Sequence, residues 1–279
     1  MVDDASTKSS ISSRLLFPTS WETVVIGIGL VSIYTLVSIL GSRIITIEPP
    51  YPDPAAGLLL PFAILFGGVG VIAGVLGVIT RDIVMGGAGS WTIAVALAHL
   101  FAGYVCIRLS RVQFIGVRVS GASFGRILMI ALVTAIAAGA TIGWAMEVLA
   151  LAPFFLAGII TGWYILALLF VGIPVLLFGY QIVPARSANG AHLRSSLLIV
   201  GLLVCWLALG IVGSIGYYNL VRIPPWLLTD VGLGAIVPII EHPVIGRGAV
   251  NLQSLLAAMA IGGTVMLFDR MQHEGMTWN

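Results

Sequence analysis

Apolar segments near the ~20 residues that a bilayer crossing needs recur along the chain from Trp21 to Phe268, with the charged residues gathered in the stretches between them. The first, Val24 to Leu40, follows a polar, Ser-rich stretch over residues 1–20. The next run, Ala55 to Thr80, is longer than one crossing requires and contains the pair Gly67-Gly68. A glycine pair is where a helix can end and the chain reverse, so the pattern predicts two shorter helices, about Ala56–Phe66 and Val69–Met85. One long tilted helix is the alternative. Further crossings are predicted at Trp91–Ile107, Leu128–Met146, Leu151–Tyr180 with a kink at Pro174, Ser196–Tyr217 and Leu252–Phe268. Asn219–Val250 is apolar in its middle but broken by Pro224, Pro225, Asp230, Pro238 and Pro243, and reads as an outer loop with an interfacial helix anchored by Trp226.

The predicted fold is therefore all-α: a polytopic integral membrane helical bundle of about eight transmembrane helices, within a range of seven to nine that depends on whether 219–250 spans. Its expected organisation is a polar tail over 1–20, a six-helix membrane core over 21–184, and two further helices over 185–279 with the long outer loop 219–250.

Composition strengthens this reading. Hydrophobic residues make up 59% and charged residues 9%, with mean hydropathy +1.11, whereas about a quarter of a soluble domain is charged. The net charge of +2 says little about partners, and no basic run is dense enough to suggest nucleic acid, so none is expected; the lipid bilayer is the expected partner. Arg108, Arg111, Arg118 and Arg126 form the densest basic loop, Arg186 and Arg194 another, and Lys8, Arg14 and Arg270 lie towards the two ends. The positive-inside rule makes all of these cytoplasmic, which demands an even number of crossings before Arg108. Splitting the long run at Gly67-Gly68 supplies it. The expected location is the plasma membrane, multi-pass, with both termini cytoplasmic. Asp3 and Asp4 in a long polar lead-in argue against a signal peptide. Cys106 and Cys205 sit in apolar segments without metal spacing and read as small buried hydrophobes.

Candidate chemistry concentrates between Pro54 and Arg108. Gly70, Gly74 and Gly77 fall on one helical face and would let a neighbouring helix approach closely. Arg81 and Asp82 stand at the end of an apolar helix, where ionised groups are expensive unless they face water, a partner or a ligand. Adjacent residues point about 100° apart on a helix, so each is expected to need its own partner. A flexible loop, Gly86 to Ser90, follows and is closed by Trp91; it reads equally as a lid or a connector. His99 lies in mid-helix, where an intramembrane ionisable group suggests a functional site and a neutral histidine bonded to a neighbouring helix explains it as well. Glu147, with Trp144 before it, is the candidate anion of a later helix; Trp163, Tyr164 and Tyr180 read mainly as belt or core aromatics. Arg81, Asp82, Trp91, His99 and Glu147 are therefore the candidate substrate-binding residues. Neither HExxH, Walker A nor a histidine cluster occurs, so no catalytic residue, metal or cofactor is expected and the chain does not read as an enzyme.

The run GLLLPFAILFGGVGVIAGVLGVITRDIVMGG, with the glycine loop and the helix ending in Arg108, resembles the core of substrate-binding S components of energy-coupling-factor vitamin transporters. In those proteins a second helix ends at a Phe-Gly turn, a glycine-striped third helix ends in an acidic residue, and the next loop covers the substrate. Phe66-Gly67, the Gly70/Gly74/Gly77 stripe and Asp82 would be the matching positions. The resemblance implies binding of a small solute from the outer side, with a transporter coupling subunit as partner. The first helix lacks the alanine-spaced docking face usual in that family. The same stretch is similar to membrane sensor domains of the MASE1 type, which implies instead a signalling partner on the cytoplasmic loop 108–126, although the 279 residues contain no output domain. An accessory or assembly protein for another membrane protein is the third expectation.

Overall fold

The computed structural model describes residues 21–44, 54–112, 121–149, 154–182 and 252–273, with 201, 203, 204, 206–208 and 210. Every element among them is helical. The elements are α1 (Trp21–Ile44), a 3₁₀ turn (Pro54–Leu58) leading into α2 (Leu59–Phe66), α3 (Gly68–Val84), α4 (Ser90–Val112) and α5 (Gly121–Val148). A second 3₁₀ turn (Phe154–Leu156) then opens α6 (Ala157–Ala167), which passes through a π turn (Leu168–Gly172) into α7 (Ile173–Ile182), and α8 covers Leu252–His273. Four helical stretches are long and apolar enough to cross a membrane: Trp21–Ile44, Ser90–Ser110, Phe124–Val148 and Ala157–Ile182. The segments 1–20 and 219–250 lie outside the described residues, as does most of the predicted crossing Ser196–Tyr217.

The predicted break at the glycine pair is present, and it is made by one residue. Gly67 has φ 61° and ψ −136°, a conformation that L side chains rarely adopt. Its N–H closes α2 on the Ala63 carbonyl at 3.1 Å, while its own carbonyl accepts the Val71 N–H of α3 at 3.1 Å. The chain reverses there, because a Cβ on Gly70 would run into the Phe62 backbone. In one continuous helix those two residues would stand about 12 Å apart.

Neighbouring residues fix the direction of each element. Gly27 lies by Val69, Thr35 by Gly77, Ser38 by Arg81 and Ser42 by Met85, so α1 and α3 run parallel. Gly103 packs on Val71 and Thr92 bonds Asp82, which makes α3 and α4 antiparallel. Gly139 faces Thr161 and Gly143 faces Ala157, so α5 and α6 are antiparallel as well. Gly57 meets Ala167 and Gly179 meets Leu65, setting the α6–α7 rod parallel to the 3₁₀–α2 piece. From Trp21 to Ile182 the chain thus alternates direction, and the ends of α3 and α5 share one end of the bundle with the starts of α4 and α6.

On α1 the packing is unlike that of a soluble protein's helix. Its buried residues are Leu30, Tyr34, Ser38 and Gly41, while Val25, Ile26, Ile28, Ile33, Leu36 and Leu40 are exposed. Leu30 apart, small and hydroxyl-bearing side chains of α1 face the other helices, and its large aliphatic ones face outwards. Close backbone approach and interhelical hydrogen bonds are what hold helices together where burial of apolar area gains nothing. Most central is α5, whose Ala131, Ala135, Ala137, Ala138 and Ala140 are all buried; 83% of its apolar window is buried, against 22% for α1.

One expectation needs correction: Arg108, Arg111 and Arg126 do not sit in a loop, because α4 runs to Val112 and α5 begins at Gly121. The sixth traverse, expected to kink at Pro174, carries a π turn just before that proline. Pro174 has no N–H for the Phe170 carbonyl and its ring would crowd that group, so a wider turn relieves both problems. At that level the backbones of Gly57, Ala167 and Gly172 touch: a Cβ on Gly172 would lie 2.5 Å from the Gly57 oxygen.

Replacing Gly67 by alanine is expected to destabilise the protein by about 1–3 kcal/mol through backbone strain alone, since nothing lies within 4 Å of the added Cβ. Gly158, within α6 and equally open, should instead tolerate alanine or gain up to about 1 kcal/mol. Reversible unfolding in mixed micelles would measure both.

Candidate functional site

Arg81 and Asp82 end α3, and the chain leaves that helix through a Schellman turn. Gly86, at φ 71°, donates to the Ile83 carbonyl at 3.1 Å and Gly87 donates to the Asp82 carbonyl at 2.9 Å. The expectation that Arg81 and Asp82 would each need a separate partner is corrected by an ion pair between them, with Arg81 Nε 2.6 Å from Asp82 Oδ1. The long arginine stem curls back over its neighbour. Diverging side-chain directions still leave a trace, for the contact is ionic and lacks the alignment of a hydrogen bond.

The other carboxylate oxygen has a stronger partner. Thr92 Oγ1 donates to Asp82 Oδ2 at 2.5 Å and itself accepts the Gly89 N–H at 3.1 Å. Asp82 therefore clasps α3 to α4 and fixes both ends of the loop between them. It is buried, at 6% exposure, beneath a loop whose residues 86–90 are all exposed. Arg81 also reaches α1, where its Nη1 lies 3.5 Å from Ser38 Oγ. Trp91 is half-buried and packs on the apolar core beside the loop.

His99 is 1% exposed and sits deeper, in the middle of α4. Its Nδ1 is 2.9 Å from the Val95 carbonyl, which can only accept, so that nitrogen carries the proton. In a neutral imidazole Nε2 is then the acceptor, and the Tyr34 hydroxyl of α1, 2.8 Å away, is the donor to it. The Tyr164 hydroxyl of α6 lies 3.5 Å from Nδ1, and both tyrosine rings meet the imidazole edge-on. A neutral imidazole held between two fully buried tyrosines links three helices.

Small residues on α3 make the space for this group. A Cβ on Gly77 would lie 2.6 Å from the Tyr34 ring, and Gly74 faces the His99 ring at 3.8 Å. The predicted glycine stripe is thus the floor on which Tyr34 and His99 meet, while Gly70 admits α2.

Glu147 closes α5 at the same bundle end as Asp82, with 2% exposure, and its Oε2 accepts the Phe154 N–H at 3.2 Å. One turn before it on α5, Trp144 belongs to an aromatic group: it lies 5.3 Å from Phe154 and 5.2 Å from Trp206, which stacks on Phe101 at 5.4 Å. The five predicted residues therefore fall into three places. Arg81 and Asp82 are joined with Thr92, and Trp91 is next to them; His99 lies with Tyr34 and Tyr164; Glu147 lies with Phe154 and the tryptophans. Sequence reasoning missed Tyr34, Ser38 and Thr92, although a hydroxyl on an otherwise apolar helix is itself the signal for an interhelical bond. Cys106, expected as a buried small hydrophobe, is fully buried and free. Among the described residues no group of histidine, cysteine and acidic side chains could hold a metal ion.

Comparison with family models, with curated proteins and with solved structures finds no match to this chain.

Tyr34→Phe removes the hydroxyl that meets His99 Nε2 at 2.8 Å and is expected to destabilise by about 1–3 kcal/mol, the usual effect of losing a buried polar partner. Thr35→Val, which loses only a long 3.4 Å bond to the Gly77 carbonyl, should change stability by less than about 1 kcal/mol. Chemical unfolding of the two variants in the same detergent separates these outcomes.

Proposed function

We propose that this is an integral membrane protein that binds a small solute at the end of its bundle where Asp82 and Glu147 lie, serving as the substrate-binding subunit of a transporter. The observation that carries the reading is the placement of Asp82: a buried carboxylate under an exposed, glycine-rich connection that a solute could lift or replace. Buried ionisable groups in a membrane bundle are expensive, and function is the usual reason for keeping them. Arginine-rich segments near Arg108 and Arg126 orient that end away from the cytoplasm, so the solute arrives from outside a plasma membrane. The arginine-bearing end would then receive the coupling subunit, and the chain would carry no catalysis of its own.

A second reading has its own support. Asp82 and His99 both find partners inside the chain, as in an accessory protein that docks another membrane protein and needs no ligand.

A thermal-shift screen of the detergent-purified protein against vitamins, nucleobases, amines and organic acids decides between them. A solute present at about a hundred times its dissociation constant should add ~2.7 kcal/mol of stability. The shift, measured against each variant's own unliganded midpoint, should vanish in Asp82→Ala. No shift with any solute, together with co-purification of a single membrane client, would favour the accessory protein.

A further inference from the structure

One face of α4 carries a long apolar stripe that ends in an aromatic and a basic residue. Ile93, Leu97 and Leu100 are exposed, and Tyr104 and Arg108 continue them at the same three- and four-residue spacing, with Arg111 next in that series. From Ile93 to Tyr104 is about 16 Å along the axis. That matches the depth of one leaflet, half of a hydrocarbon core about 30 Å thick. Arg108 stands in the last turn of the apolar span Ser90–Ser110, the level where hydrocarbon gives way to headgroups and where rings such as that of Tyr104 gather. Its guanidinium carbon lies 5.0 Å from the centre of the Tyr104 ring. A cation over a ring is held by charge, so this contact steadies the arginine without using its N–H fork, the part that matches a phosphate in bidentate fashion. The charge in this part of the chain has one sign: Arg108, Arg111, Arg118 and Arg126 occur between Asp82 and Glu147, and no acidic residue does. Arg126 is exposed in the first turns of α5, at the same end of the bundle.

We propose that this stripe binds an anionic phospholipid of the leaflet at the arginine-bearing end. An acyl chain lies along Ile93, Leu97 and Leu100, and the phosphate meets the Arg108 guanidinium beside Tyr104. A zwitterionic headgroup would bring its own ammonium towards these arginines and be repelled; a headgroup of net negative charge is not. Apolar stripe and arginine are continuous on one helix face, which fits a lipid better than a soluble anion or an acidic protein. The assignment rests on the membrane part of the reading above and not on solute binding.

The full chain, purified in a neutral detergent, is titrated with phosphatidylglycerol and with phosphatidylcholine of equal chain length, and bound lipid is counted by native mass spectrometry. Phosphatidylglycerol should bind at least about fivefold more tightly, the usual effect of one arginine near an anionic headgroup. Arg108→Gln should remove most of that preference, and Arg108→Lys, which keeps the charge and loses the fork, should keep part of it. Arg43→Gln, at an exposed arginine in the last turn of α1 and so at the opposite end, should leave it unchanged. Glycerol phosphate, which has the charge and no chains, should not displace the lipid at equal concentration. Equal affinity for the two lipids in the wild type overturns the assignment, as does a loss in Arg43→Gln as large as that in Arg108→Gln. Displacement by glycerol phosphate also overturns it and makes the site one for soluble anions. If Arg108→Gln keeps the lipid preference but no longer co-purifies with a membrane protein, the patch docks protein and the lipid assignment fails. Should Arg108→Gln fail to fold, the wild-type ranking and Arg108→Lys decide. A solute screen without any shift removes the solute-binding reading and leaves this one standing.

Discussion

The 2.8 Å hydrogen bond from Tyr34 to His99 requires a backbone without side chains beneath it, and that requirement organises the described part of the bundle. Tyr34 reaches the imidazole only by lying across Gly77, where a Cβ would stand 2.6 Å from its ring. Gly74, one turn earlier, faces the imidazole at 3.8 Å, an ordinary van der Waals distance. In a membrane, apolar burial between helices gains little, and stability comes from close packing and polar contacts. Glycine floor and polar bond are therefore one device. It places α1 in parallel register on α3, and Thr35, Ser38 and Ser42 extend that register along the helix.

From that register follows where the charges meet. Because α1 and α3 run parallel, Ser38 arrives at Arg81; because α4 returns antiparallel, Thr92 arrives at Asp82. The Schellman turn at Gly86 sets the reversal, and Gly67 sets the earlier one. Each turn depends on a residue that can take positive φ, so two glycines determine which polar side chains face one another across helices. Glu147 reaches the same end by a different route, through the alanine-rich α5 and its antiparallel packing on α6.

Much of this was legible in the sequence, and the failures have definite causes. The Gly67 break could be read because the apolar run was too long for one crossing and held a glycine pair. The stripe at Gly70, Gly74 and Gly77 followed from helical spacing, although spacing could not say that α2, His99 and Tyr34 would occupy it. The Arg81–Asp82 pair was misjudged because ideal helix geometry describes where side chains start, not where a long guanidinium can end. Tyr34 and Thr92 carry no pattern of their own; only the fold brings them to His99 and Asp82. The aromatic group of Phe101, Trp144, Phe154 and Trp206 joins residues from distant parts of the chain, and no local period announces such a group.

On the solute-binding reading proposed above, the two carboxylates at the shared end would meet a solute on different terms. Asp82 already accepts from Thr92 and touches Arg81, so a solute that binds it directly must break a charge-assisted bond before making one. Displacing that bond would free the Thr92 hydroxyl, which also holds the Gly89 N–H, so binding at Asp82 would be felt in the loop. Glu147 is held differently: its Oε2 accepts the Phe154 N–H, so it ties the end of α5 to the 3₁₀ turn that opens α6, as Asp82 ties the end of α3 to the start of α4.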